Sequence, residues 1–199
     1  MSSKWLLDLF LATDLDALID AAFGLLAEAV PCDFVSGFYR YSDKGLLKER
    51  DSRGREYGPD FARRSIELNP AIPLARSQPG IKLLRTRTGL PPFDVLKHSE
   101  FYREIMKTQG WRHAVALCFW TDPPANLPIF VASVYRRAGR RDFSDDDCTR
   151  LTTLHSFINC AVNRLYQLVT AQSVREGMAM SVRRASCSRH HHVRAVEAT

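Results

Sequence analysis

Apolar positions recur at helical spacing over two long stretches and alternate over four short ones. Leu15, Leu18, Ile19, Ala22, Phe23, Leu26 and Val30 fall on one face of a 3.6-residue period. Thr13 stands where an N-cap belongs, Asp14 and Asp16 lie at the positive end of the dipole, and Pro31 stops the run. The spacing predicts a helix over 13–30, with a shorter one over 3–11 before it. Toward the other end, Cys148, Leu151, Leu154, Ile158, Ala161, Val162, Leu165, Leu168 and Val169 form a second sustained stripe. Ser144 and Asp147 resemble a capping box ahead of it, with Phe143 as an apolar staple. That helix is expected to run to about residue 172, on the order of 40 Å at 1.5 Å per residue. Its far end is expected to protrude and to pair with a partner helix.

The strand patterns lie between. Residues 33–40 (DFVSGFYR) and 46–51 flank the Asp43-Lys44-Gly45 turn and read as a hairpin, with Gly37 marking a close approach of other atoms. A second hairpin is read from 112–120 and 128–136, separated by the proline-rich TDPPANL. Both faces of 128–136 are largely apolar, which places that strand centrally. Residues 98–120 (HSEFYREIMKTQGWRHAVALCFW) join these regions. Ser99 caps a short amphipathic helix, Phe101, Tyr102, Ile105 and Met106 make its stripe, and Gly110 supplies a left-handed stop. The aromatic side chains gathered there suit either a ligand pocket or a hydrophobic core. Residues 52–92 are broken by Asn69-Pro70, Pro73, Pro79-Gly80 and Pro91-Pro92, and only 60–68 reads as a helix. Between Lys48 and Arg112 there are fourteen Lys and Arg against eight Asp and Glu, in a segment placed where either a pocket lid or a solvated surface would sit.

Composition narrows the class. A length of 199 residues suits one domain, 1–172, followed by a basic tail, 173–199, expected to be disordered. The apolar and charged contents, 45% and 25%, are those of a soluble globular protein. No apolar run reaches the roughly 20 residues of a membrane span, and Asp8 breaks the N-terminal apolar patch, so neither a membrane anchor nor a signal peptide is expected. Five irregularly spaced cysteines read as reduced thiols of a cytoplasmic protein and carry no zinc spacing. The net charge of +6 is diffuse. Four arginines over 136–141 and the Arg- and His-rich tail leave a nucleic-acid-binding module as the alternative function. His190–His192 read as an incidental run.

Candidate catalytic chemistry is sparse. The chain has no GxSxG, HExxH, GxxxxGKS/T or GxGxxG. Cys118 with His113 or His155 would be the one thiol and imidazole pair to consider, and His155 lies in the stripe of the last helix. No enzymatic activity, cofactor or metal is expected.

The order helix, hairpin, irregular segment, short helix, hairpin, long helix implies an α+β fold, an antiparallel sheet flanked by helices. Two stretches, 98–120 and VYRRAGRRDFSDDDCTRLTTLHSFINCAVNRL (134–165), resemble the GAF-like N-terminal sensory domain of bacterial LuxR-type transcription regulators. With the first helix and hairpin, the resemblance covers about residues 10–170. It implies a GAF/PAS-like sheet with a long C-terminal helix. It also implies a ligand-sensing or protein-interaction role, with an unknown small molecule enclosed by the sheet and its overlying loops. Homodimers or heterodimers would form through outer helices, here Leu165, Leu168 and Val169. The family continues into a helix-turn-helix domain. No such pattern follows residue 172, so direct DNA binding is not expected. No family ligand contact transfers to a particular residue. A pocket of aromatic walls and a few polar groups is expected from Tyr39, Tyr102, Trp111, Cys118, Trp120 and Ser133.

Overall fold

A computed structural model describes residues 3–41, 46–121, 127–168 and 171. The expectations for the tail, for Val169 and for the two inter-strand turns lie outside these residues. The chain divides into two units, 1–163 and 164–199. The architecture below is that of the first.

Two helices open the chain, α1 (Ser3–Leu11) and α2 (Leu15–Ala29). The cap of α2 is Asp14, not Thr13: its carboxylate accepts from the Ala17 amide at 2.9 Å. Six strands then form one antiparallel sheet: β1 (Phe34–Tyr41), β2 (Leu46–Asp51), β3 (Glu56–Tyr57), β4 (Leu83–Arg85), β5 (His113–Phe119) and β6 (Phe130–Arg136), in the order β3-β2-β1-β6-β5-β4. The two hairpins expected from the sequence meet at the centre, where β1 pairs β6 with Ser36 opposite Ser133. The two short outer strands, β3 and β4, were hidden in the proline-broken segment. That segment also holds α3 (Pro59–Leu68), α4 (Ile72–Ser77), α5 (Thr86–Gly89) and α6 (Phe93–Leu96).

The amphipathic helix before β5 is not regular. Tyr102–Met106 are π-helical, and α7 (Lys107–Gln109) completes the turn before Gly110, whose φ of 79° provides the left-handed stop. Ser99 caps it as expected, accepting from the Tyr102 amide at 3.1 Å. The last helix, α8 (145–168), starts at the expected capping box: Ser144 Oγ accepts from the Asp147 amide, and the Asp147 carboxylate accepts from the Ser144 amide. Beyond residue 163, Leu165 is buried and Leu168 is exposed. Among the described residues no helix is long and apolar enough to cross a membrane.

Strand alternation divides the sheet into two faces. Val35, Gly37, Tyr39, Val115, Leu117, Phe119, Phe130, Ala132 and Val134 make one of them. It is covered by α2 and, within the first unit, by α8, whose Leu151, Leu154, Ile158, Ala161 and Val162 are buried. Gly37 allows a close approach here: a Cβ would lie 3.1 Å from the Phe23 ring and 3.2 Å from Phe130, so those rings would have to shift by a few tenths of an ångström to admit it. Arg50 crosses from β2 to α2, bonding Asp20 and the Asp16 carbonyl at 2.7 Å each. The basic turn after β6 is mostly engaged rather than free. Arg136 is buried, lies over the Phe143 ring and donates to the Pro31 and Asp142 carbonyls and to Asp147. Arg140 reaches Asp33, whose carboxyl is held below its ordinary range by the Arg137 amide and the Arg140 guanidinium, against the cost of burial.

Candidate functional site

The other face of the sheet bears small side chains at its centre. One row across the strands runs Asp51, Ser36, Ser133, Ala116, Leu84, and the adjacent row runs Glu49, Phe38, Val131, Cys118. Ser36, Ser133 and Ala116 are too short to fill the space between the sheet and the layer above it. That layer is built from the proline-broken segment and from the helix leading into β5, and contributes Ile66, Ile72, Leu90, Phe101 and Ile105. A cavity of about 150 Å³ remains between them. Engineered apolar cavities of roughly that volume accept a benzene-sized molecule.

One end of the layer is solid. Phe34, Leu96, Phe101, Ile105, Met106, Trp111 and Tyr135 pack into a buried cluster. Phe34 stacks on Tyr135 at 4.6 Å, and Trp111 lies 5.0 Å from Tyr135 at 53°. Arg53 covers the outer side of Phe34 at 3.7 Å while bonding Asp51 and the Gln109 carbonyl. On the roof, the Arg64 guanidinium joins Glu104 at 2.9 Å and Glu100 at 3.0 Å, clasping α3 to the start of the π-helical segment. The aromatic unit is therefore both core and wall: Phe101, Trp111 and Tyr135 pack in the cluster and also border the cavity.

The polar groups on the cavity wall form two chains. Ser36 Oγ and the Tyr135 hydroxyl lie 3.1 Å apart, and burial pushes the Tyr135 phenol up to about 12. In the second chain, Trp111 Nε1 donates to Gln109 Oε1 at 2.9 Å, and Gln109 Nε2 donates to Glu49 Oε1 at 3.1 Å. Glu49 Oε2 has no hydrogen-bond partner among the described residues. Burial pushes this carboxyl up to about 7; the Gln109 bond pulls it down and the Asp51 charge adds to the rise. Asp51 itself sits below its ordinary range, because the Arg53 side chain and two backbone amides outweigh its burial.

Of the six residues proposed from the sequence, Trp111, Cys118 and Ser133 line the cavity. Tyr39 does not: it lies on the opposite face against Phe130, at 6.2 Å. Tyr102 packs edge-on against Phe93 at 5.6 Å, outside the lining. Trp120 is turned to donate from Nε1 to the Ile81 carbonyl at 2.8 Å. Glu49, Gln109 and Ser36 were missed. The sequence LLKERD around Glu49 puts charge on both faces of its strand, which hides the buried one.

The thiol and imidazole pair is not assembled. His155 Nε2 faces the Cys118 backbone carbonyl at 2.9 Å, and its ring stacks on Phe119 at 4.8 Å, on the side of the sheet away from the cavity. Burial raises the Cys118 thiol to about 12 and lowers His155 below its ordinary value. Among the described residues no group of three or more His, Cys, Asp or Glu could hold a metal ion.

No protein-family model matches the chain, and no curated protein matches it. Solved structures do. A GAF domain of a two-component sensor histidine kinase from Bacillus halodurans aligns with a TM-score of 0.53 at 14% identity, over 79% of this chain and 99% of that one. The N-acylhomoserine lactone-dependent LuxR-family transcription factor CepR2 from Burkholderia cenocepacia gives 0.53 at 14%, over 83% and 95%. The GAF domain of the cyanobacteriochrome TePixJ gives 0.53 at 15%, over 79% and 94%. At these identities the likeness shows the fold, which is GAF-like.

Proposed function

We propose that this GAF-like chain is the ligand-sensing domain of a LuxR-type transcription regulatory system. The observation that carries the reading is the cavity between the sheet and the α3–α7 layer. Its floor is kept low by Ser36, Ser133 and Ala116, its walls are apolar and aromatic, and its polar groups are few and positioned, as in small-molecule sites generally. Two further findings support the regulatory setting. The stretches 98–120 and 134–165 resemble LuxR-type sensory domains, and a LuxR-family regulator dependent on a small molecule shares the fold. The Arg64 clasp over the roof gives occupancy a means of being felt outside the cavity, because a molecule that lifts α3 must strain the bonds to Glu100 and Glu104.

Two measurements test the reading. Native mass spectrometry of the gently desolvated protein is expected to show a small adduct that denaturation releases, and it reports the oligomeric state in the same spectrum. Benzene, as a neutral probe, is expected to shift the NMR resonances of Ala116 and Ile105, and Ala116→Leu is expected to abolish that shift. A folded protein with no adduct and no response to benzene would refute a ligand-sensing cavity.

A further inference from the structure

Glu49 is out of place in a small apolar cavity. Its side chain comes from a strand residue on the cavity face, is only 5% exposed, and directs one oxygen at no described partner. Buried carboxylates are ordinarily matched by a cation or by several donors. The described cations nearby are committed elsewhere. Arg53 holds Asp51. Arg85 borders the cavity, and its charge is matched by Asp145 at 2.6 Å and Asp142 at 3.8 Å, with its Nε alone left without a described partner. What Glu49 receives is one amide hydrogen bond from Gln109, and that amide is fixed by Trp111. The carboxyl is thus oriented through one oxygen and left open through the other.

The space around it also has a chemical character. Trp111, Tyr135 and Phe38 border the same cavity and present aromatic surface, which attracts cations. The volume, about 150 Å³, admits a body of roughly one ring. Resting on the ligand-sensing reading, we propose that the sensed molecule is a small organic amine. Its protonated nitrogen bonds Glu49 Oε2, and its apolar body lies against Phe101, Ile105 and Trp111. An organic anion would meet a second negative charge in a site of low dielectric. A purely apolar guest would bury the carboxyl further without pairing it. A protonated amine supplies both the charge and the donor, and charge-assisted hydrogen bonds are the strong ones.

The proposal has a pH signature. The titratable groups around Glu49 are Asp51, kept ionised by Arg53; Tyr57, its register partner on β3, whose phenol is raised by burial and by Asp51; and the Tyr135 phenol, kept protonated by burial. Between pH 6 and pH 8, Glu49 is the member of this set that changes charge. A cation favours its ionised form, so amine affinity rises over that interval, while a neutral guest gains nothing from it.

The test uses the full chain with benzylamine, benzyl alcohol and ethylbenzene, three probes of similar size that differ in charge and donors. Affinities are measured by calorimetry or NMR titration at pH 6 and pH 8, for the wild type and for Glu49→Gln. Benzylamine is expected to bind at least tenfold more tightly than either neutral probe at pH 8, and less tightly at pH 6 than at pH 8. Glu49→Gln is expected to lose at least tenfold in benzylamine affinity and to keep that for ethylbenzene, which shows that the cavity is intact. Equal or tighter binding of a neutral probe overturns the proposal. So does a Glu49→Gln variant that binds benzylamine as the wild type does, or a wild type that binds none of the three. The pH comparison on the wild type stands even if the variant does not fold. Benzene binding without preference for the amine would refute the amine and leave the sensing cavity; loss of benzene binding would remove both.

Discussion

Replacing Glu49 by Gln is expected to make the unliganded protein more stable at high pH and to leave it nearly unchanged in acid. Burial moves the carboxyl from an ordinary 4.5 to about 7 in the folded state. The folded protein therefore holds a proton that the unfolded chain has released over that interval. The favourable contribution of this protonated acid is fully present below pH 4.5 and is lost as pH rises through about 7. At roughly 1.4 kcal/mol for each tenfold displacement, the loss is about 3 kcal/mol. Glutamine has the same shape, accepts the Gln109 hydrogen bond and does not ionise, so it escapes the loss. Two histidines, the partly buried His113 and the buried His155, are lowered by burial and give the opposite slope, with stability falling as pH drops through their ordinary value. They are common to both proteins and cancel in the difference. Urea unfolding followed by tryptophan fluorescence at pH 4.5, 6 and 8 gives that difference directly. The curves are expected to meet at pH 4.5 and to separate by about 3 kcal/mol at pH 8, on the order of 10 °C in melting temperature. Two curves that run parallel over the whole range would show that Glu49 is not held in the environment described, and the amine proposal would lose its anchor.

Three further outcomes follow from other parts of the fold. Gly24→Ala would ordinarily gain about 1 kcal/mol of helix propensity, but its Cβ would lie 2.2 Å from the Trp5 ring. It is expected to cost about 1–2 kcal/mol net in urea unfolding and to shift Trp5 emission to the red as α1 is pushed off α2. Arg136→Leu strips the donors from two carbonyls and from Asp147 and is expected to cost about 3 kcal/mol. Arg136→Lys is expected to recover less than half of that, because an ammonium cannot replace the planar fork over Phe143. Among the described cysteines, Cys160 is exposed and is expected to react with Ellman's reagent at once. Cys118, buried and raised to about 12, is expected to react only at the rate of unfolding.

The sequence was readable where periodicity was long. Helix α2, both hairpins, the start of α8 and the Gly110 stop were legible, because burying one face leaves a repeating trace and caps need particular residues. Residues 52–92 were not. Strands of two and three residues, β3 and β4, and helices of four to six residues are too short for a period, and Pro91-Pro92 precedes α6 where it was read as a break. The π-helical turn at Tyr102–Met106 leaves no sequence mark distinct from an α-helical stripe. Half of the candidate pocket depended on face parity. Ser133 and Cys118 share the cavity face with Ser36, whereas Tyr39 falls one position off it, and one residue is all that separates the faces of a strand. The floor of small residues was invisible for a related reason. Ser36, Ser133 and Ala116 lie on three separate strands and become a row only once the register is known.

The joining of β1 to β6 has a consequence for how the protein is made. Ser36 and Tyr135, 99 positions apart in the chain, lie within 3.1 Å through their hydroxyls. On the ribosome, β1 emerges well before β6 and waits with an open edge for its neighbour, and the sheet has no centre until β6 has cleared the exit tunnel. Nascent chains that stop short of Arg136 will therefore expose the apolar edge of β1 and will be recognised by chaperones. Emergence of β6 will then be followed by one slow, cooperative closure, set by the entropy of that long loop.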